Sequence, residues 1–178
     1  MTEEIQELLP RGIALMDGAE YAAAAELFRE CLVRDPRDAE GYFYLGEALA
    51  EMHLLEEAVE VTEAGLKLKP EDAEAWTSLG DLYFESGRHK EALANYRRVL
   101  ELTPLDADAQ VNIGLVYNAM EKTDDAIRSF NAALEIDPEN ASFKPTGSIV
   151  NSSLFSKYSI ALCGLVTILM GFLRGLLR

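Results

Sequence analysis

The chain has 178 residues, 49% of them hydrophobic, and a formal net charge of −15 at pH 7, so it can bury a sizeable core. All 31 acidic residues and 12 of the 16 basic residues lie within positions 1–140, so this part carries −19 and positions 141–178 carry +4. Because affinity for nucleic acid depends on Lys and Arg that neutralise phosphates, the acidic part argues against nucleic-acid binding.

The N-terminal segment "MTEEIQELLP" is acidic. A signal peptide begins with a basic segment followed by an apolar run, so no export signal is expected. The two cysteines, Cys31 and Cys163, are far apart in the chain and match neither a disulfide framework nor a metal-binding spacing. We therefore expect a reducing compartment, no metal and no cofactor.

Prolines recur every 34 residues, at Pro36, Pro70, Pro104 and Pro138. The same step separates Gly12, Gly46, Gly80 and Gly114, and also Ala24, Ala58, Ala92 and Ala126. Self-similarity at a fixed period indicates a repeat architecture. The sequence therefore predicts four repeats, over residues 5–38, 39–72, 73–106 and 107–140.

The third repeat shows the local structure most clearly. Its apolar residues follow helical spacing before and after the interruption "ESGR", which predicts a helix, a turn and a second helix. Gly80 and Ala92 permit close approach of the two helices wherever these positions face each other. Pro104 lacks an N–H group and disfavours helical backbone in the preceding residue, so the second helix should end at about Thr103.

The segment "WTSLGDLY" and, in the fourth repeat, "IGLVY" followed by Ala126, Phe130 and Pro138 resemble the tetratricopeptide repeat. The second repeat departs from the family pattern at Leu49 and Thr62, where Tyr and Phe are typical. The resemblance implies an all-α fold, a right-handed α-solenoid of four helix-turn-helix repeats. Stacked repeats bury each other's apolar faces, so the residues that carry the function are expected in an exposed groove.

The first repeat matches the pattern less well than the others. Leu8 and Arg11 replace the typical Trp and Leu, and Pro10 lies inside the predicted first helix.

The resemblance also implies that the first helix of each repeat lines a concave surface. The residues expected to bind a partner there are Glu40, Phe43, Glu47, Glu51, Glu74, Thr77, Asp81, Phe84, Glu85, Asp108, Val111 and Asn118. This face carries carboxylates and two phenylalanines but neither Lys nor Arg. It therefore lacks the cations with which chaperone-binding members of the family clamp a C-terminal carboxylate. The pattern favours a protein or peptide partner that is basic or amphipathic, and the alternative is an ordinary solvated surface.

Catalysis has little support in the sequence. His53 and His89 are both expected in turns between helices, and no nucleophile accompanies them. Cys31 is expected to be a small core residue. We therefore expect no enzymatic activity and no small-molecule substrate.

After Pro138 the composition changes to Ser, Asn, Gly and Pro, which is typical of a linker, assigned to residues 141–157. Residues 158–177 are apolar on all sides of a helix and would extend about 30 Å, which predicts a transmembrane helix. Its glycines, at Gly164, Gly171 and Gly175, would share one side and permit close packing of helices in lipid. The alternatives are a helix buried in a cap or a partner protein, an interfacial helix, and a non-native segment.

Together these features predict a tail-anchored adaptor that recruits or assembles a protein complex at a membrane, with the repeats on the cytoplasmic side. Two other functions fit the sequence. One is a structural subunit of a membrane complex, and the other is a soluble chaperone whose apolar tail covers the last repeat.

Overall fold

The computed structural model describes residues 2–138, with side chains from residue 7 onward. This part contains eight α-helices and no strand: α1 (Thr2–Asp17), α2 (Tyr21–Arg34), α3 (Ala39–Glu51), α4 (Leu55–Leu68), α5 (Ala73–Glu85), α6 (His89–Leu102), α7 (Ala107–Ala119) and α8 (Thr123–Ile136). Consecutive helices pack against each other along the whole series, and α3 also contacts α1 and α5. The helices therefore form a solenoid in which first helices of successive repeats are neighbours.

The helix boundaries follow from local chemistry. Asp38, Asp72 and Asp106 precede α3, α5 and α7, and each side chain accepts a hydrogen bond from a backbone N–H of the first turn. α6 ends at Leu102 and is capped by Thr103, in agreement with the position of Pro104. The same capping residue, one repeat apart, sets where the first helices of the second, third and fourth repeats begin.

In the first, third and fourth repeats the two helices meet where a glycine of the first helix faces a ring of the second. Gly80 faces the ring of Tyr96, and a Cβ built at Gly80 would lie 2.5 Å from a ring carbon. The pairs Gly12–Phe28 and Gly114–Phe130 repeat this arrangement. Ala92 is fully buried, but the ring of Tyr96 is the nearest neighbour of Gly80. The close approach at this glycine thus accommodates an aromatic ring.

Specific contacts join one repeat to the next. The ring of Phe28 in α2 stacks on Tyr44 in α3, with centroids 5.6 Å apart. The Tyr83 hydroxyl in α5 donates to Glu63 in α4 at 2.6 Å, and Arg97 in α6 donates to the Tyr117 hydroxyl in α7 at 2.7 Å. Each interface between repeats therefore combines apolar packing with a tyrosine side chain.

Two sequence expectations about individual residues are resolved by the fold. Cys31 is buried in α2, as expected for a core residue, and its burial raises the pKa of the thiol. His53 lies in the turn after α3, but His89 is the first residue of α6, and its ring packs against Phe84 at 5.6 Å between centroids. The prediction that His89 lies in a turn was therefore wrong.

The predicted linker (141–157) and the predicted transmembrane helix (158–177), with Gly164, Gly171 and Gly175, lie outside the described residues. Within residues 2–138, no helix combines the length and apolar character needed to cross a membrane.

Candidate partner-binding groove

A cavity of about 360 Å³ lies in the layer of first helices, between α3 and α5. Half of the residues predicted to bind a partner line it, namely Glu40, Phe43, Glu47, Glu74, Asp81 and Glu85. We call this cavity the acidic groove. The repeat period brings these side chains together because equivalent positions of adjacent first helices lie side by side in a solenoid.

The other predicted residues lie outside the lining of the acidic groove. Glu51 is exposed at the end of α3, and Thr77 bonds to the carbonyl of Ala73 in its own helix at 3.0 Å. Phe84 is partly buried against His89.

The three predicted residues of α7 differ in exposure. Asp108 and Asn118 are exposed, whereas Val111 is only 4% exposed and belongs to the core. None of the three lines the acidic groove, so the described cavity belongs to the second and third repeats.

Carboxylates crowd the acidic groove and lose part of their hydration there. Desolvation raises the pKa of Glu47, and the nearby charges of Glu51 and Glu74 raise it further. Desolvation also raises the pKa of Asp81, an effect opposed by a hydrogen bond from Tyr96 and reinforced by Glu85. The groove thus holds negative charge at a free-energy cost, and a cation placed there would relieve it.

The lining of the acidic groove includes one cation that was not among the predicted residues. Lys69, which caps the C-terminus of α4, contacts Asp72 at 2.9 Å. The hydrogen bond and charge of Asp72 raise the pKa of Lys69, with smaller contributions from Glu40 and Glu74. Lys69 was missed because it lies between repeats, outside the first helices. Its spacing of three residues from Asp72 is the signal that could have identified the pair.

The groove extends inward to α4 at Thr62, which is 3% exposed and faces Gly46. In the third repeat the equivalent position is Tyr96, whose hydroxyl donates to Asp81 at 2.6 Å. Thr62 is therefore a second groove residue that the sequence reasoning did not assign, although its departure from the family pattern was visible in the sequence.

Within residues 2–138, no cluster of three or more His, Cys, Asp or Glu side chains is arranged to hold a metal ion.

Sequence models of the tetratricopeptide repeat match residues 15–82 and 107–140, and a TPR repeat model matches residues 80–121. No curated protein sequence gives a significant match to the chain.

Solved structures of MamA are similar to this chain in fold. One, described as the crystal structure of MamA, is 28% identical, has a TM-score of 0.73, and the match covers 78% of this chain and 81% of that chain. A second MamA structure is 27% identical with a TM-score of 0.72, and the match covers 80% of this chain and 78% of that one. MamA from Desulfovibrio magneticus RS-1 is 21% identical with a TM-score of 0.72 and 77% of each chain covered, which shows the fold alone.

Tetratricopeptide-repeat domains bind protein partners and are typically not enzymatic. The periodic sequence, the helix pairs and the matched repeat models lead to the same conclusion: the chain is a tetratricopeptide-repeat protein, with repeats over residues 15–140.

Proposed function

We propose that this protein is a membrane-anchored scaffold that binds a basic or amphipathic segment of a partner protein in the acidic groove. The observation that carries the proposal is the composition of the groove lining. Six carboxylates and one ammonium group line a cavity of about 360 Å³ beside Phe43. The single ammonium, Lys69, is already paired with Asp72, so the groove retains an excess of negative charge.

The shape and chemistry of the groove suit a peptide segment. Phe43 is half-buried and packs against Gly65 of α4, so it offers an ordered apolar surface among the carboxylates. Apolar anchors supply much of the affinity in such complexes, and charges mainly speed association and select the partner. A basic segment with apolar residues at helical spacing would use both features.

Binding is tested with two fluorescent peptides of equal length, one of Lys and Leu at helical spacing and one with Glu in place of Lys. We expect only the basic peptide, and not the acidic one, to bind the full chain. Its affinity should fall as the salt concentration rises. The double variant Glu47→Gln, Glu74→Gln should bind it about tenfold more weakly. Fluorescence anisotropy measures both effects.

A matched control removes the same charge elsewhere. Glu56 and Glu60 lie exposed on α4, outside the groove lining. The double variant Glu56→Gln, Glu60→Gln removes two negative charges, as the groove variant does. If this control weakens binding as much as the groove variant does, the attraction is a general effect of charge and the groove is not the site.

The membrane part of the proposal is supported by residues 158–177, which are free of acidic residues and contain one basic residue, Arg174. We propose that they anchor the protein with its repeats on the cytoplasmic side. Membranes from cells that express the full chain or a chain ending at Asn140 would be washed with alkaline carbonate. Retention of the full chain alone supports the anchor, and release of both chains contradicts it.

A second candidate is a soluble chaperone whose tail covers the last repeat. It is favoured by Leu134 of α8, which is 37% exposed, and by the half-buried Ile127 and Ile136. This candidate requires the full chain to remain soluble and monodisperse without detergent, which size-exclusion chromatography measures.

A further inference from the structure

The second repeat lacks the aromatic ring that the other three repeats place against their glycine. Phe28, Tyr96 and Phe130 face Gly12, Gly80 and Gly114, whereas Gly46 faces the small side chain of Thr62. The acidic groove extends to both Gly46 and Thr62. In the second repeat the short side chain of Thr62 contacts Gly46 in place of a ring, and both residues border the space of the acidic groove.

The third repeat shows what fills this space when a ring is present. There the phenol of Tyr96 crosses from α6 toward α5 and donates a hydrogen bond of 2.6 Å to Asp81. One repeat earlier, the positions of Tyr96 and Asp81 are occupied by Thr62 and Glu47. Glu47 therefore keeps the acceptor of this pair, but its donor is absent from the second repeat.

Thr62 provides a second, independent sign of an unfilled site. Its side chain is 3% exposed and lines the cavity, and its hydroxyl makes no hydrogen bond to the described residues. The hydroxyl oxygen is not among the described polar atoms that are both sealed from solvent and unpaired, so it stays open to the cavity that the side chain lines. A ligand group that enters the cavity could satisfy this hydroxyl.

The charge of the surroundings selects the ligand. Glu47 lies near Glu51 and Glu74, and the one lining cation, Lys69, bonds to Asp72. A neutral phenol would leave these carboxylates uncompensated. A guanidinium group is flat like a ring, positively charged, and has several donors for carboxylate and hydroxyl oxygens.

We propose that the cavity at Thr62 is a specificity pocket for an arginine side chain of the partner, whose guanidinium binds Glu47 and the Thr62 hydroxyl. The proposal rests on the proposed function, because it assigns one residue of the basic segment that the acidic groove binds. The arginine would supply in the second repeat the flat donor that Tyr96 supplies in the third.

The test uses the full chain in detergent and a small probe, N-acetyl-L-arginine amide, followed by the amide NMR signals of Gly46, Glu47 and Thr62. We expect saturable shifts at these residues. The neutral analogue N-acetyl-L-citrulline amide, which keeps the size of the side chain, should bind at least about tenfold more weakly. Absence of shifts with the arginine probe, or equal shifts with both probes, overturns the proposal.

Two substitutions test the pocket itself. Thr62→Tyr places in the second repeat the residue found in the third, so it should fill the space, donate to Glu47 and weaken arginine binding at least about tenfold. Thr123→Tyr makes the same change at an exposed residue and should leave binding unaltered. Unaltered binding in the Thr62→Tyr variant contradicts the proposal.

If Thr62→Tyr fails to fold, Glu47→Gln takes its place and should weaken arginine binding to a similar extent. The two proposals can fail separately. If the basic peptide binds in the groove but the arginine probe does not, the pocket is wrong and the proposed function stands. If the probe binds at Thr62 but the peptide does not, the proposed function is wrong, because the site then binds arginine without a peptide.

Discussion

At the scale of single residues, the turn inside each repeat depends on one left-handed backbone position. Ala19, His53, Gly87 and Glu121 have φ between 57° and 70° and are spaced one repeat apart. In the third repeat, Gly87 donates to the Phe84 carbonyl and Arg88 to the Tyr83 carbonyl, which closes the end of α5. Only one of the four residues is glycine, although glycine adopts this conformation at the least steric cost.

We therefore expect Gly87→Ala to lower the free energy of unfolding by about 1 kcal/mol, because alanine is strained at a positive φ. The reverse change, His53→Gly, should cost nothing or stabilise the protein by less than about 1 kcal/mol. Urea unfolding of the full chain measures both. Equal unfolding midpoints for wild-type and Gly87→Ala would show that this turn is not strained by a side chain.

A second prediction at this scale concerns pH. The pKa of Glu47 is raised in the folded protein, so the folded state binds the proton more tightly than the unfolded state does. Ionisation of Glu47 therefore costs stability as the pH rises through the ordinary value of 4.5 and above it. We expect Glu47→Gln to stabilise the protein at pH 7 by about 0.5 kcal/mol, a small value because the side chain is exposed, and to lose this advantage below pH 4.

The control for the pH effect is Glu60→Gln on the exposed side of α4. A stabilisation by Glu47→Gln that is equal at pH 7 and pH 4 would contradict an origin in ionisation.

At the scale of helices, the pairing of α5 with α6 depends on the absence of a side chain at Gly80. A Cβ at this position would lie 2.5 Å from the Tyr96 ring, which is well inside contact distance. The ring is buried and also bonded to Asp81, so it has little freedom to move away. The two helices must therefore separate if a methyl group is added.

We expect Gly80→Ala to lower the free energy of unfolding by about 2 kcal/mol, as is typical of overpacking in a core. Gly18→Ala is the matched control, because a Cβ at Gly18 has no neighbour closer than 3.5 Å. Thermal unfolding followed by circular dichroism compares the two. If both variants unfold at the same temperature as wild-type, the helices adjust without cost and the steric argument fails.

At the scale of the whole molecule, the excess of negative charge opposes the compact state. The chain carries 31 acidic and 16 basic residues, and most of its ion pairs within residues 2–138 join exposed side chains three or four residues apart. Such pairs contribute little to stability. Repulsion among carboxylates on adjacent repeats should therefore exceed the attraction within these pairs.

We expect the melting temperature to rise by about 4 °C between low salt and about 0.5 M NaCl, because screening weakens the repulsion. At the higher salt concentration the Debye length is below about 5 Å. Calorimetry over a salt series measures this effect. A melting temperature that falls with salt would mean that ion pairs stabilise the fold more than repulsion destabilises it.

The repeat, its 34-residue period and the all-α fold class follow from residue types and their spacing alone. Equivalent prolines, glycines and alanines recur because every repeat packs against adjacent repeats through equivalent positions. The period is therefore visible without coordinates. The acidic character of the first helices was also visible, since it is a matter of residue type and register.

Which of these residues form one site became apparent only in the folded chain. Six of the predicted residues surround a cavity, whereas Val111 belongs to the core. Thr62 of α4 and Lys69, which follows α4, also line the groove. The reason is physical. Helix register tells which face a residue occupies, but the depth and lining of a groove depend on the size of the side chains that the neighbouring helices place behind it.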